Sequence, residues 1–178
     1  MPQITRKLLR KRAEHNEGMI STLEEISLHQ EELESINEVL GKTCRKLKIL
    51  YLQNNIIPKM ENLYHMKDLR YLNLALNNII KIEGLDNCEF LHKLDLTVNF
   101  IDFDTLKESI EHLARRVNLE ELYMMGNPAQ VLRHTCTCTY TYINIYIRTY
   151  TPLHIHIYVM HIQICLCSTS ILGELGRE

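Results

Sequence analysis

Apolar residues along the first three quarters of the chain fall into a nine-place pattern that recurs four times. Leucine stands at places one and four, leucine or methionine at place six, and asparagine at place nine. The four units are Leu47–Asn55, Leu69–Asn77, Leu91–Asn99 and Leu119–Asn127, the last with Met124 at place six. In an extended segment, alternate side chains share a face, so places four and six point inward together and places three, five and seven point outward. An asparagine directly after such a strand turns the chain, and its amide can bond the backbone of the adjacent coil.

With Leu23 as the start of a weaker first unit, the units begin at Leu23, Leu47, Leu69, Leu91 and Leu119, in steps of 24, 22, 22 and 28 residues. Self-similarity at this period predicts an α/β leucine-rich-repeat solenoid of five units over residues 23–128. A 22-residue step leaves the convex side room for only a turn or a brief 3₁₀ piece, filled by Ile57 and Met60 in one coil and by Ile79, Ile82 and Leu85 in the next. The 28-residue step has space for a helix. There Thr105-Leu106-Lys107-Glu108 has capping-box spacing, and Leu106, Ile110, Leu113 and Val117 follow at helical intervals. The first unit carries Glu31 at place nine and reads as a degenerate edge coil, since a terminal repeat has one face with no neighbour. Residues 1–22 form its cap, with a helix predicted over residues 5–16, Thr5 at its start, and Ile4, Leu8 and Leu9 covering the open coil. The cluster Arg6, Lys7, Arg10, Lys11 and Arg12 on this helix reads as a solvated basic face rather than a docking patch.

Composition narrows the function classes. A formal net charge of −2 over 178 residues gives no reason to expect nucleic acid or an anionic membrane as partner. The N-terminal MPQITRKLLRKRAEHNEG is too charged for a signal peptide, and no run of about 18 apolar residues is present to span a bilayer, so the expectation is an intracellular protein. Cys44 and Cys88 lie singly among the repeats and read as packed thiols. An enzyme is disfavoured: His29 is the one histidine on the outward face, without a clustered nucleophile or a glycine-rich phosphate loop, and no cofactor is implied. Lys93 and Asp95 face outward on one strand as a surface ion pair of little energetic weight.

The outward places instead supply a mixed aromatic and polar strip of Tyr51, Gln53, Tyr71, Asn73, Lys93, Asp95 and Tyr123. This is the composition of a protein-recognition surface and marks the candidate binding site.

More specific wording lies within the units: Glu14-His15-Asn16, Ser27-Leu28-His29-Gln30, Leu72-Asn73-Leu74-Ala75-Leu76-Asn77-Asn78 and Asp95-Leu96-Thr97-Val98-Asn99-Phe100. Over about Ile4 to Pro128 the chain resembles the N-terminal domain of the tilB-homologue (seahorse) family of leucine-rich-repeat dynein axonemal assembly factors. The resemblance implies a scaffold in the cytoplasm of ciliated cells that helps preassemble dynein arms with chaperones and other assembly factors, possible at the cilium as well. In that family the Gly126-Asn127-Pro128 turn would lead into a closing cap, a charged helical stretch and a CS-type domain; the sequence after Pro128 has none of these. Short repeats of this length also occur in phosphatase regulators and in a spliceosomal partner protein, which leaves a regulatory subunit of another complex as the alternative.

From His134 the chain reads HTCTCTYTYINIYIRTYTPLHIHIYVMHIQICLC, alternating His, Tyr, Cys or Arg with Thr, Ile, Val or Met. The first set has pyrimidine–purine–pyrimidine codons and the second purine–pyrimidine–purine codons, so an alternating CA/TA-type DNA repeat translates to this pattern. Residues 129–178 therefore read as translated non-coding repeat, a disordered and aggregation-prone tail that imitates a strand. The same origin accounts for Cys136, Cys138, Cys165 and Cys167 beside several histidines, and no metal site is assigned to them.

Overall fold

In the computed structural model of the chain, the backbone is described for residues 2–133, 139–151 and 154–166, and side chains for residues 2–129. Each unit contributes one three-residue strand starting two residues after its first leucine. These are β1 Glu25–Ser27, β2 Ile49–Tyr51, β3 Tyr71–Asn73, β4 Lys93–Asp95 and β5 Glu121–Tyr123. They pair in parallel and in strict register, so Ile26, Leu50, Leu72, Leu94 and Leu122 stack in one column. That column and the place-six residues Leu28, Leu52, Leu74, Leu96 and Met124 are buried, with Ile57, Met60, Ile79, Ile82 and Leu85 meeting them from the convex side as expected. Burying each such side chain contributes roughly 1.5–3 kcal/mol, and here the contacts are made mostly with the coils on either side.

Place nine ties the coils together. Asn77 accepts the Ile57 N–H of the preceding coil at 3.1 Å and donates to the carbonyls of Leu52 and Leu74 at 2.9 and 3.1 Å. Asn99 does the same for Ile79, Leu74 and Leu96, and Asn127 for Ile101, Leu96 and Met124. Asn55 accepts from both Glu31 and Leu33 N–H groups and donates to Leu28 and Leu52. All four amides are buried, so the ladder supplies partners that a turn in the solenoid interior otherwise lacks. In the first unit Glu31 cannot play this part. It accepts instead from Arg12 of the cap, whose Nε lies 2.6 Å away.

The cap helix α1 spans Arg6–Arg12, shorter than the sequence suggests. Thr5 caps it by accepting from the Leu8 N–H at 3.2 Å, and Ile4 and Leu9 are buried against the first coil. The chain then tightens into a 3₁₀ turn at Glu14–Asn16, and Glu17 and Gly18 take left-handed backbone that ends the helix. A second helix, α2 at Glu38–Thr43, fills the convex side of the 24-residue step and was not marked by the apolar pattern. Asn37 starts it, accepting from Val39 N–H at 3.2 Å while its amide donates to the Ile4 carbonyl at 2.8 Å, which fastens the cap to the first coil. The helix of the 28-residue step, α3, spans Phe103–Leu113, with its start corrected: Asp102 caps it and Thr105 is the donor, its N–H 3.0 Å from Asp102 Oδ1. Its inward face is Ser109 and Leu113 with Leu106 partly buried, whereas Val117 lies beyond the helix and is exposed.

Beyond the fifth unit, β6 runs Val131–Arg133, β7 Thr139–Thr151 and β8 His154–Leu166. β7 pairs antiparallel with β6 and β8, and beside β5 through Leu122 and Ile147. The alternation read as strand mimicry in a disordered tail has strand geometry in these two segments, as period-two Thr, Tyr and Ile dictate whatever the origin of the stretch.

Candidate functional site: the concave face

The five strands place the outward residues in columns. Place three gives Glu25, Ile49, Tyr71, Lys93 and Glu121; place five gives Ser27, Tyr51, Asn73, Asp95 and Tyr123. Six of the seven candidate residues stand in these columns, Gln53 follows β2 at place seven, and all seven are half-buried. Tyr51 and Tyr71 meet edge to face with ring centroids 5.6 Å apart. Lys93 Nζ lies 5.2 Å from the Tyr71 ring centre and 4.8 Å from that of Tyr123, so one ammonium bridges two aromatic rings across two strand gaps.

The carboxylate partner of Lys93 is Glu121, at 3.1 Å in the same column, and not Asp95 on its own strand. Residues two apart along a strand are further from each other than register partners on adjacent strands, which corrects the ion pair expected from sequence. Asp95 instead accepts from the Thr97 N–H at 3.0 Å, and Asn73 repeats this with Ala75 N–H at the same distance while its amide donates to the Tyr71 hydroxyl at 3.1 Å. Tyr123 donates to Glu121 Oε2 at 2.9 Å. The hydrogen bond to Glu121 holds the Lys93 ammonium above its ordinary value, and burial, reinforced by Asp95, raises the Tyr71 phenol, so near neutral pH the strip keeps a cation against neutral rings.

Gln53 carries a further polar atom of interest, because its Oε1 is buried with no hydrogen-bond partner among the described residues. Sequence reasoning did not single out Glu121, although its place-three position beside Lys93 was the available signal. It also passed over Leu76 and Val98, which stand at place eight and are exposed, as is the outward place-seven Met125.

Cys44 and Cys88 are buried free thiols, and burial pushes Cys88 up to about 12. The tail pairs Cys136 and Cys138, and Cys165 and Cys167, lie outside the residues whose side chains are described. No described helix is long and apolar enough to cross a membrane.

No protein-family model matches the chain. Dynein axonemal assembly factor 11 of Mus musculus is 56% identical over 128 residues, 72% of this chain and 26% of the relative, and protein tilB of Drosophila melanogaster is 56% identical over 128 residues, 72% and 31% respectively. The chain thus spans about a quarter to a third of the length of these curated relatives. Among solved structures, a chain in the crystal structure of the Drosophila melanogaster SNF/U2A' complex superposes with a TM-score of 0.58, at 27% identity over 72% of this chain and 71% of that one. At this identity the repeats of the chain match the leucine-rich-repeat domain of the tilB family of dynein axonemal assembly factors.

Proposed function

We propose that the chain is a non-enzymatic scaffold whose concave strip docks a protein partner during cytoplasmic preassembly of axonemal dynein arms in ciliated cells. The supporting observation is the continuous aromatic and polar surface from Tyr51 through Tyr71 and Lys93 to Tyr123, carried on a rigid five-strand sheet. Aromatic side chains on a fixed backbone give large contact area at small entropic cost, which is what a docking surface needs. The unpartnered Gln53 Oε1 adds an acceptor that a bound partner's donor would satisfy. Partners of the dynein-assembly class follow the name of the mouse relative, and those of the chaperone class follow the family resemblance alone, with neither nucleic acid nor membrane in the reading.

Capture from ciliated-cell extract tests it. Tyr71→Ala and Lys93→Glu should each reduce retention of dynein-assembly proteins by about tenfold, the size expected for one anchoring residue, while thermal unfolding shows that each variant remains folded. Both variants retaining the same proteins as wild type would move the docking surface elsewhere. The second reading, a regulatory subunit of another complex, draws on the likeness to a chain crystallised in the SNF/U2A' complex; capture of a set without dynein-assembly proteins would favour it.

A further inference from the structure

The solenoid sheet begins with β1, whose one paired neighbour among the described residues is β2, whereas β5 at the other end of the solenoid is continued by β7. Along β1, the Glu24 carbonyl accepts from the Ile49 N–H at 3.0 Å and the Leu28 N–H donates to the Tyr51 carbonyl at 2.8 Å. Backbone groups of successive strand residues point to opposite edges, so residues 24, 26 and 28 face β2, and the N–H and C=O of Glu25 and Ser27 face the other way. A groove of about 470 Å³ lies there, lined by Arg12, His15 and Asn16 of the cap and by every residue from Thr22 to Ser27. Of these, Glu25, Ile26 and Ser27 are the whole of β1, and side chains of consecutive strand residues alternate between faces, so a groove bordered by all three runs along the strand's edge.

We propose that this groove is a peptide site in which an extended segment bearing a lysine or arginine adds as a strand to the free edge of β1. Main-chain hydrogen bonds to Glu25 and Ser27 would supply the pairing, as in other cases of strand addition to an exposed edge. Charge decides the occupant. Arg12 is paired with Glu31 and Glu24 with Lys48, which leaves the exposed Glu25 as the one groove carboxylate without a cationic partner among the described residues. A basic side chain on the added strand, beside Glu25 in the place-three column, completes that pair. The site is separate from the Tyr71 and Lys93 strip and does not depend on it.

The test uses the full chain and a fluorescent, end-capped heptapeptide of alternating threonine and valine with a central lysine. Wild type and Ser27→Ala should bind it alike and saturably. Ser27→Pro removes the outward N–H without touching the ladder to β2, and should bind about tenfold more weakly at unchanged melting temperature. N-methylation of alternate peptide amides should weaken binding to wild type equally, which keeps the question open to experiment if the proline variant fails to fold. Replacing the peptide lysine with glutamate should also weaken binding, and Glu25→Lys should reverse that preference. No saturable binding to wild type, indifference to N-methylation, or full binding by a folded Ser27→Pro protein would each overturn the site. Tyr71→Ala should leave peptide binding intact.

Discussion

Truncating Asn77 to alanine isolates what the asparagine ladder contributes. The residue is 3% exposed; it accepts from Ile57 N–H, donates to the Leu52 and Leu74 carbonyls, and has the Ala75 carbonyl at 3.2 Å as a further acceptor that Asn54 N–H also serves. The two carbonyls are not orphaned by the change, because Leu52 still accepts from Asn55 at 2.8 Å and Leu74 from Asn99 at 2.9 Å. The Ile57 N–H is different. It has no other acceptor among the described residues and Ile57 is fully buried, so losing its acceptor costs about 1–3 kcal/mol, and the two forfeited donor bonds add about 1 kcal/mol each. The sum, about 3–5 kcal/mol, is a large part of the 5–15 kcal/mol that holds a typical domain together.

Urea unfolding followed by circular dichroism reads this directly. With a slope of about 2 kcal/mol per molar urea, Asn77→Ala should lower the midpoint by about 1.5–2.5 M. Asn78→Ala is the internal control: that side chain is exposed and bonds nothing among the described residues, so its midpoint should move by no more than about 0.5 kcal/mol in equivalent stability. Asn55→Ala should cost more than Asn77→Ala, since Asn55 accepts from two N–H groups and its loss orphans both. Equal midpoints for Asn77→Ala and Asn78→Ala would show that the ladder is decorative and that stacked leucines alone set the coil.

Two further outcomes follow from local geometry. His112 accepts the Leu85 N–H at 3.1 Å through Nε2, and burial holds its imidazole below the ordinary value, helped by Arg116 and Arg115 and opposed by Asp86 and Glu83. The folded state therefore favours neutral His112; its stabilisation is complete above the unfolded value near 6.5 and is lost as pH falls through the lower folded one. Between pH 7.5 and 5 the melting temperature of wild type should drop further than that of His112→Gln, and parallel curves would remove His112 from the account. Gly84 and Gly18 share a φ of +72°, but a Cβ on Gly84 would meet the Met60 carbonyl oxygen at 2.4 Å while one on Gly18 meets nothing within 4 Å. Gly18→Ala should cost about 1 kcal/mol of backbone strain, and Gly84→Ala at least about 2 kcal/mol more by urea unfolding; equal costs would mean that Met60 yields freely.

What repeats was legible in sequence, and what depends on single contacts was not. The strand positions, the buried columns and the asparagine bonds follow from Leu and Asn recurring at fixed places, because each coil imposes its register on the next. Helix α2 escaped notice since its apolar signal is two residues long, Val39 and Leu40, and the decisive feature is Asn37 reaching both Val39 and the distant Ile4 carbonyl. The α3 start was placed on Thr105 because Thr and Glu three apart fit a capping box, yet Asp102 is the side chain whose position meets the free Thr105 N–H. Likewise Lys93 has Asp95 near it in sequence and Glu121 near it in space. Reading down columns rather than along strands finds the second.

Place eight carries the same lesson into the candidate site. Gln30, Asn54, Leu76, Val98 and Gly126 all have left-handed backbone, with φ from 54° to 77°. Asparagine and glycine accept that geometry readily, whereas leucine and above all β-branched valine do so at a cost of about 1–3 kcal/mol. The solenoid imposes the conformation regardless, because the next residue must turn inward to reach the preceding coil through its amide. Glycine at 126 also makes room for its neighbour, since a Cβ there would sit 3.1 Å from Val98 Cγ2. Leu76 and Val98 thereby hold their apolar side chains half in solvent at 49% and 46% exposure, on a backbone that folding cannot relax. They rim the strand ends just past Tyr71 and Lys93. A partner that seats on the tyrosines therefore meets a fixed apolar edge whose contacts cost little further ordering, since the backbone was ordered when the coil closed.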